Sequence, residues 1–584
     1  MNSSHWLRGA AVLALAGAVS TPSFAQPGAY TGIDVALGIL GDLSQFSRLG
    51  AFPNGHQGFG MSTTSCNLGT VNAPWLAPMN AIHPTIWFIL ARESDGRLVQ
   101  ISRRISATNP GDPRPYGKHG FFALSNSQCT PCQQPSGGSF LGVGCSDTYG
   151  SSLNADHYWL GPPWEVDPWA GTWNPQCSHF DKGDPVVAPA QQCDSARSLS
   201  NAQANTLNAS VNHRLAAHDS DLNVPGATFW YQGMYVISSW TQSGNSPVPQ
   251  SPAIPNGLKM EPDAARDNNM ASRQFVPTWT GSSWTTSEPG GQLYGTVLQR
   301  WNGATITSAS NGNEDGRVYV GVKVTGPTNG LYHYEYAFHN RDNNHGIQAF
   351  RLPICPEARV LNVGFHDPDQ SSANDWTFAK VGGEISWSTT GNPLYWNTIY
   401  NVWFDSDAAP ITGSSLTLDE FMWTGTPGAS SFAVTGTAPL GLYNVHLGDG
   451  CGTPSIPRLF AFGSPARASL GNGSFGLGSD GHASGAAVLL FGGTVDGTQL
   501  LSPGCNLYMG GMPPAPVFLF GQQTANVFGG VTFNMPVPAD PALEGAHLNF
   551  QAFEVQVGTG QALGFLDASN GLRVRIGDLV TNCP

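Results

Sequence analysis

The chain has 584 residues, room for about three to four domains, and its hydrophobic content of 40% excludes a disordered polymer. Charged residues are only 11%, against about 25% in an average domain, while 72 glycines and 44 prolines without a strict repeat supply turns and exclude collagen. A net charge of −14 and no basic run longer than Arg103-Arg104 exclude the clustered positive surface that nucleic acid or an anionic membrane face requires.

Residues 1–25 read as a secretory signal peptide. Arg8 precedes the apolar stretch Ala10 to Val19, and Ser23-Phe24-Ala25 offers a small-x-small cleavage site. Ten apolar residues cannot cross about 30 Å of hydrocarbon, and no later segment reaches 18, so no transmembrane segment is expected. The mature chain is expected to be secreted or held at the cell surface. All ten cysteines follow the cleavage site, at 66, 129, 132, 145, 177, 193, 355, 451, 505 and 583. An even count in an exported chain points to disulfides whose connectivity sequence does not fix. Cys451 and Cys505, within the C-terminal part, are the best single pair. Cys129-Thr-Pro-Cys132 has redox spacing but no strand-then-helix context; structural bridging is the favoured reading, with redox catalysis and metal ligation the alternatives.

The first region, residues 26–270, is rich in Cys, Trp and His. His83 to Arg92 reads as a strand, Asp95-Gly96 as a turn, Arg97 to Ile105 as the returning strand and Lys118 to Leu124 as a third. The polar stretch Asp194 to Ala217 predicts one or two short surface helices. Residues 241–290, rich in Ser, Pro and Asn, read as a linker or a large exposed loop. The second region, 290–445, predicts strands over Arg317 to Thr325, Leu331 to Asn340, Arg359 to Phe365, Glu384 to Ser388 and Ile399 to Phe404. In Leu331 to Asn340, period two puts Tyr332, Tyr334, Tyr336 and Phe338 on one face, the natural core face, and His333, Glu335, Ala337 and His339 on the other. The third region, 446–584, predicts a β-sandwich with strands over Ala486 to Phe491, Pro516 to Phe520, Val531 to Met535, Leu548 to Val555 and Leu572 to Ile576. Here Leu572, Val574 and Ile576 face inward. The fold class is therefore mainly β and multi-domain: antiparallel β-sandwich modules behind a loop-rich, disulfide-stapled N-terminal region.

Several segments resemble secreted proteins of planctomycete-type bacteria. They are Thr63-Thr64-Ser65-Cys66-Asn67, His83-Pro84, Lys118-His119-Gly120-Phe121, the stretch Gly142 to Asp147, Leu160-Gly161-Pro162 and the stretch Val363 to Asp367, and together they span about residues 30–410. The Pro-rich stretch before Lys118 departs from that pattern. The tail, with Gly504-Cys505, the stretch Ala539 to Leu543 and the stretch Ser569 to Arg573, is similar to a C-terminal module of many exported proteins of such bacteria. The resemblance implies a surface or secretion accessory in the tail and carries no catalytic residue.

Catalytic motifs are sparse. There is no GxSxG elbow and no HExxH, and Gly111 to Lys118 fails as a phosphate loop because its two prolines offer no amide proton. Imidazole nitrogen suits copper, zinc and iron. His83, His119 and His366 lie at strand ends or turns, where a β scaffold could present all three to one copper-like centre, and His333 with Glu335 forms a second candidate pair. Asp219-Ser-Asp221-Leu-Asn223 opens like a calcium loop but has Val224 and Trp230 where an EF-hand needs Gly and Glu. Asp367-Pro-Asp369 and Asp405-Ser-Asp407 could chelate calcium or cap turns. Copper and calcium are thus the two cofactors the pattern admits. Glu165, Asp167, Glu335 and Asp367 are the carboxylates a glycoside hydrolase could recruit. Four tryptophans between Trp159 and Trp173 could stack on sugars or serve as packing bulk. Two functions remain. One is extracellular binding or structure, with polysaccharide or a cell-envelope component as partner; the other is a secreted metal-dependent enzyme built on the three histidines. Whether the chain is an enzyme, the sequence leaves open.

Overall fold

The computed structural model describes residues 31–105, 112–181, 193–207, 211–238, 263, 265–311, 316–328, 330–369, 371–422, 429–441, 443–463, 466–495, 497–510 and 517–577, with the backbone of 241–243 and 246–248. Residues 1–25, which the sequence reads as a signal peptide, and Cys583 lie outside them.

The chain is mainly β, as its alternating apolar pattern dictates, and its strand pairs are antiparallel. In the first region, Val35–Leu49, His56–Asn67, Leu215–His218 and Ser146–Tyr149 form a four-stranded sheet. It packs on an eight-stranded sheet built around Met270–Trp279, Thr228–Val236 and Thr85–Ser94. Leu37, Leu40, Phe59 and Met61 of the first sheet meet Ile86, Phe88, Tyr231 and Phe275 of the second. The run Ile86 to Ala91 is apolar at every position because both faces of that sheet are covered. Trp87, Ile89 and Ala91 point the other way, into a second core with Trp301, Tyr319, Ala337, Trp396 and Ile399.

That second core joins the first region to a five-stranded sheet ordered Thr305–Ser310, Arg317–Thr328, Leu331–Asn340, Thr398–Ser406, Val360–His366. Its far face carries Val320, Tyr334, Tyr336, Phe338 and Phe404 against Phe350, Trp387, Leu416 and Val434 of another five-stranded sheet. Four sheets thus stack with a core in every gap. Tyr334, Tyr336 and Phe338 face the core as alternation predicts. Glu335, Ala337 and His339 on the opposite face are buried as well, because the Arg97–Gln100 strand and the short helix Val297–Arg300 lie over them.

Residues 444–575 form a smaller sandwich. A six-stranded sheet (Asn444–Leu447, Gly571–Arg575, His547–Val555, Ala487–Gly493, Val517–Thr524, with Leu566–Ala568) faces a three-stranded one (Arg458–Phe462, Gly476–Asp480, Val531–Asn534). Leu572 and Val574 point into the core between them, beside Leu477, Leu490 and Phe533.

One expectation changes and another is sharpened. Residues 270–287, placed by composition in a linker, form the strands Met270–Trp279 and Trp284–Ser287, with Trp284 buried in the first core. Between Asp194 and Ala217 the only described α-helix is Asn201–Leu207; Leu215–His218 is a strand paired with His56–Phe59. The disulfides Cys66–Cys129, Cys132–Cys145 and Cys177–Cys193 staple the first region. Cys451–Cys505 closes the C-terminal part, and Cys355 is bridged too. Cys129 and Cys132 take different partners, so the CxxC is a branch point of two structural bridges.

Candidate functional site

The three histidines do not converge. His83 is buried with both nitrogens engaged by backbone: Nδ1 lies 2.6 Å from Leu76 O, and Nε2 accepts from Phe121 N–H at 3.3 Å. Burial lowers its pKa to about 4. His119 is its neighbour, packed among Trp87, Trp173 and Phe180 with ring centroids 4.8 to 6.0 Å away. Neither ring nitrogen has a hydrogen-bond partner among the described residues, and burial holds its pKa far below the ordinary range. A Cβ at residue 161 would come 2.9 Å from His119 Nε2, so Gly161 is what lets the Leu160–Gly161 strand pass the ring. His366 ends a strand of the second sheet pair, in the surroundings of Gln100, Asp221, Arg92 and Arg97. Among the described residues no group of three or more His, Cys, Asp or Glu is placed to hold a metal.

The other sequence candidates are committed to the fold. Asp219 takes donors from Arg48, Gln57 Nε2, Trp284 Nε1 and Gly55 N–H, which leaves its carboxylate no vacant side for calcium. Asp221 pairs with Arg92 and Arg103 at 3.3 Å each. Asp367 accepts from Asp369 N–H and Asn392 Nδ2, the turn-capping role. Glu335 is clasped by Arg97, whose guanidinium also lies 3.4 Å from the Trp403 ring centre. His333 bridges Glu335 and Asp405 at 2.9 and 2.6 Å. Glu165 accepts from His179 N–H, and Asp167 from Trp169 and Ala170 N–H. Of the four clustered tryptophans only Trp164 is exposed, at 45%, and Arg104 stacks on it at 4.9 Å.

Sequence reasoning missed two constellations. In the C-terminal sandwich, Ser479 Oγ lies 2.8 Å from His482 Nε2, and His482 Nδ1 lies 3.2 Å from Glu554 Oε2. The order is that of a nucleophile, base and orienting acid. All three residues are buried and Ser479 also donates to Arg458 O, so the relay pins two sheets together instead of facing a substrate. The short run Ser479 to His482 is visible in sequence; Glu554, 72 residues on, is not.

The second constellation is a cleft of about 110 Å³ where the second sheet pair meets the C-terminal sandwich. Tyr332, Tyr443 and Phe460 are its half-buried aromatic walls; Arg359, Arg458, Asp407 and His446 are ionisable groups that line it, beside Asn444 and Asn570. Asp407 follows the strand Thr398–Ser406. Its Oδ1 accepts from Arg359 N–H at 2.8 Å and its buried Oδ2 has no partner among the described residues. Burial raises its pKa to about 6, against the opposing pull of the Arg359 amide and guanidinium. His446 is driven down to about 4 by burial, so it is neutral at pH 7. Arg467 stacks 5.0 Å from the Tyr443 ring centre and donates to its hydroxyl at 3.0 Å, fixing that wall. These aromatic and ionisable lining residues come from five separate segments, so only Asp407, in Asp405-Ser-Asp407, stood out in the sequence. The volume is below the roughly 300 Å³ at which drug-sized pockets begin and suits one small polar unit.

No family model matches the chain, and no curated protein matches it. Among solved structures, the chain is similar to the GH20 exo-β-N-acetylglucosaminidase of Vibrio harveyi at 13% identity, over 26% of this chain and 25% of that one, with a TM-score of 0.15. It is similar to BcpA, the major pilin subunit of Bacillus cereus, at 10% identity over 62% and 87%, TM-score 0.17. Escherichia coli alpha-2-macroglobulin gives 9% identity over 92% and 35%, TM-score 0.14. The chain thus spans a quarter of the glycosidase's length, and TM-scores this low transfer neither fold nor function.

Proposed function

We propose that the protein is exported, matures where thiols oxidise, and binds a polysaccharide or other envelope component through the Tyr332–Tyr443–Phe460 cleft. Bridged cysteines support the compartment, and the described residues contain no helix long and apolar enough to cross a membrane. The resemblance of residues 30–410 to secreted proteins of planctomycete-type bacteria belongs to the same reading. One observation carries the ligand class: half-buried aromatic rings line one cleft together with Asp407, whose Oδ2 lacks a donor among the described residues. A sugar offers an apolar ring face to the aromatics, and a hydroxyl that displaces the groups packed over Oδ2 gives Asp407 its missing donor. The small volume fits one unit of a chain whose remainder lies outside. Native gels cast with different polysaccharides test this. The mature protein should be retarded by at least one of them, and Tyr443→Ala and Asp407→Asn should each migrate as in plain gel. Equal mobility of wild type in every gel would sink the proposal.

A further inference from the structure

The edge of the C-terminal sandwich lacks the usual protection of a terminal strand. Val517–Thr524 pairs with Ala487–Gly493 on one side and has no strand on the other among the described residues. Its first four residues, Val517, Phe518, Leu519 and Phe520, are all exposed, on both faces of the strand. The following turn adds Val527 and Phe528, exposed by 78% and 93%. Natural sheet edges are guarded by Lys, by inward charges or by Pro within the strand. Here one bulge, where the register with Ala487–Gly493 shifts between Leu490 and Phe491, is the strand's single guard: it has no proline, and no charged side chain occurs from Gly497 to Ala539.

We infer that this edge is a self-association surface, on which two copies of the chain pair their Val517–Thr524 strands antiparallel about a two-fold axis. Area favours a protein partner. The six side chains together expose on the order of 600 Å² of apolar surface. That is at the upper limit for a patch on a monomer and close to the roughly 800 Å² per partner of a stable interface. The absence of charge favours a second copy over a foreign strand. Nothing on the edge can read an oppositely charged partner, whereas an identical uncharged strand meets it without like charges opposed. A two-fold also closes the association, since each edge consumes the other. The surface is remote in sequence from every aromatic of the cleft, so the inference does not depend on the ligand reading.

Sedimentation velocity on the full mature chain across the micromolar range tests it, with hydrogen exchange of the 517–524 amides followed at the lowest and highest concentrations. Wild type should pass from monomer to dimer as concentration rises, and exchange in that strand should slow in step. Leu519→Lys, at an exposed position that leaves the core intact, should remain monomeric with an unchanged thermal melt. Val557→Lys, at an even more exposed apolar residue outside the strand, should dimerise like wild type. A wild type that stays monomeric throughout, or a Leu519→Lys variant that dimerises as wild type does, overturns the inference.

Discussion

Lys118 has its amine 3.4 Å from the centre of the Tyr149 ring and 4.7 Å from that of Phe121, with no hydrogen-bond acceptor among the described residues. Burial drives its pKa down to about 6, and Asp147 and Asp156 restore only part of the loss. A lysine in the unfolded chain titrates near 10.4. Between those values the unfolded state binds more protons, so this group makes stability rise with pH across that window and weakens the fold in acid. Burial raises Asp147 to about 7, although Trp75 Nε1 donates to its Oδ2 at 3.0 Å. Its folded form therefore holds a proton between about pH 4 and 7 that the unfolded form releases, so its contribution falls as pH rises there. The two slopes oppose each other only between about pH 6 and 7; below that window the aspartate acts alone, and above it the lysine does. Lys118→Met keeps the stem's packing and removes the amine. At pH 7 the variant should be more stable by about 1–4 kcal/mol, with the gap closing toward pH 10, as read by urea unfolding at both pH values. A variant less stable at every pH would mean that the ammonium over Tyr149 is a net gain. Such burial is what a sequence does not display at this scale. His83 and His119 read as ligands because imidazole is a ligand type, yet apart from Leu76 their surroundings of backbone and aromatic rings are set by residues 32 to 61 positions away.

Strands were legible wherever alternation was clean. Leu331–Asn340 and Glu384–Ser388 match their predicted limits. Val35–Leu49 and His56–Asn67 escaped notice because Gly and Ser interrupt the apolar period, and their ladder shifts register three times. Met270–Trp279 lies in a stretch whose Ser, Pro and Asn content reads as linker or exposed loop; in the structure its outer half is half exposed and carries Pro277. Lys118 to Leu124 gave the opposite error: only Gly117–Lys118 pairs, and a Cβ at residue 117 would sit 2.5 Å from the Trp87 indole. The Cys451–Cys505 pair was legible, because no other cysteine lies between them. That bridge closes a 54-residue loop between the Cys451–Ala568 β-bridge and the strand Cys505–Leu507, whose first residue is buried. Its removal frees the unfolded ensemble by about 4 kcal/mol on the chain-entropy account. Cys451→Ser with Cys505→Ser should lower the melting temperature of the C-terminal sandwich alone, seen as an earlier calorimetric transition separate from the rest. A single transition shifted as a whole would show that the sandwich unfolds only together with the other sheets.

At the scale of the whole molecule, the distribution of cores decides which parts can stand alone. The two C-terminal clusters draw only on residues between 451 and 576, and the sandwich reaches the second region's core only through Val445 and Leu447 of its strand Asn444–Leu447. The first and second regions instead share a core: Trp87 meets Trp396 edge-on at 4.6 Å. The join is also hydrogen-bonded, by Gln100 Oε1 to Ile399 N–H, Leu98 O to Asn401 Nδ2 and Gly96 O to Trp301 Nε1. Cutting between those regions would expose Trp87, Ile89, Ala91 and Leu98 on one fragment and Tyr319, Ala337, Trp396 and Ile399 on the other. Each fully buried large apolar side chain in such a seam is worth about 1.5–3 kcal/mol, so even a few exceed a typical domain's margin of about 5–15 kcal/mol. A fragment of residues 443–584 should therefore melt cooperatively, with a near-ultraviolet signal matching that part of the intact protein. A fragment ending at residue 290 should aggregate or lack a cooperative transition, and recover one when residues 291–442 are restored. Cooperative folding of the shorter piece alone would mean that the four-sheet stack is an association of two independent bodies and that the tryptophan seam is an interface between them.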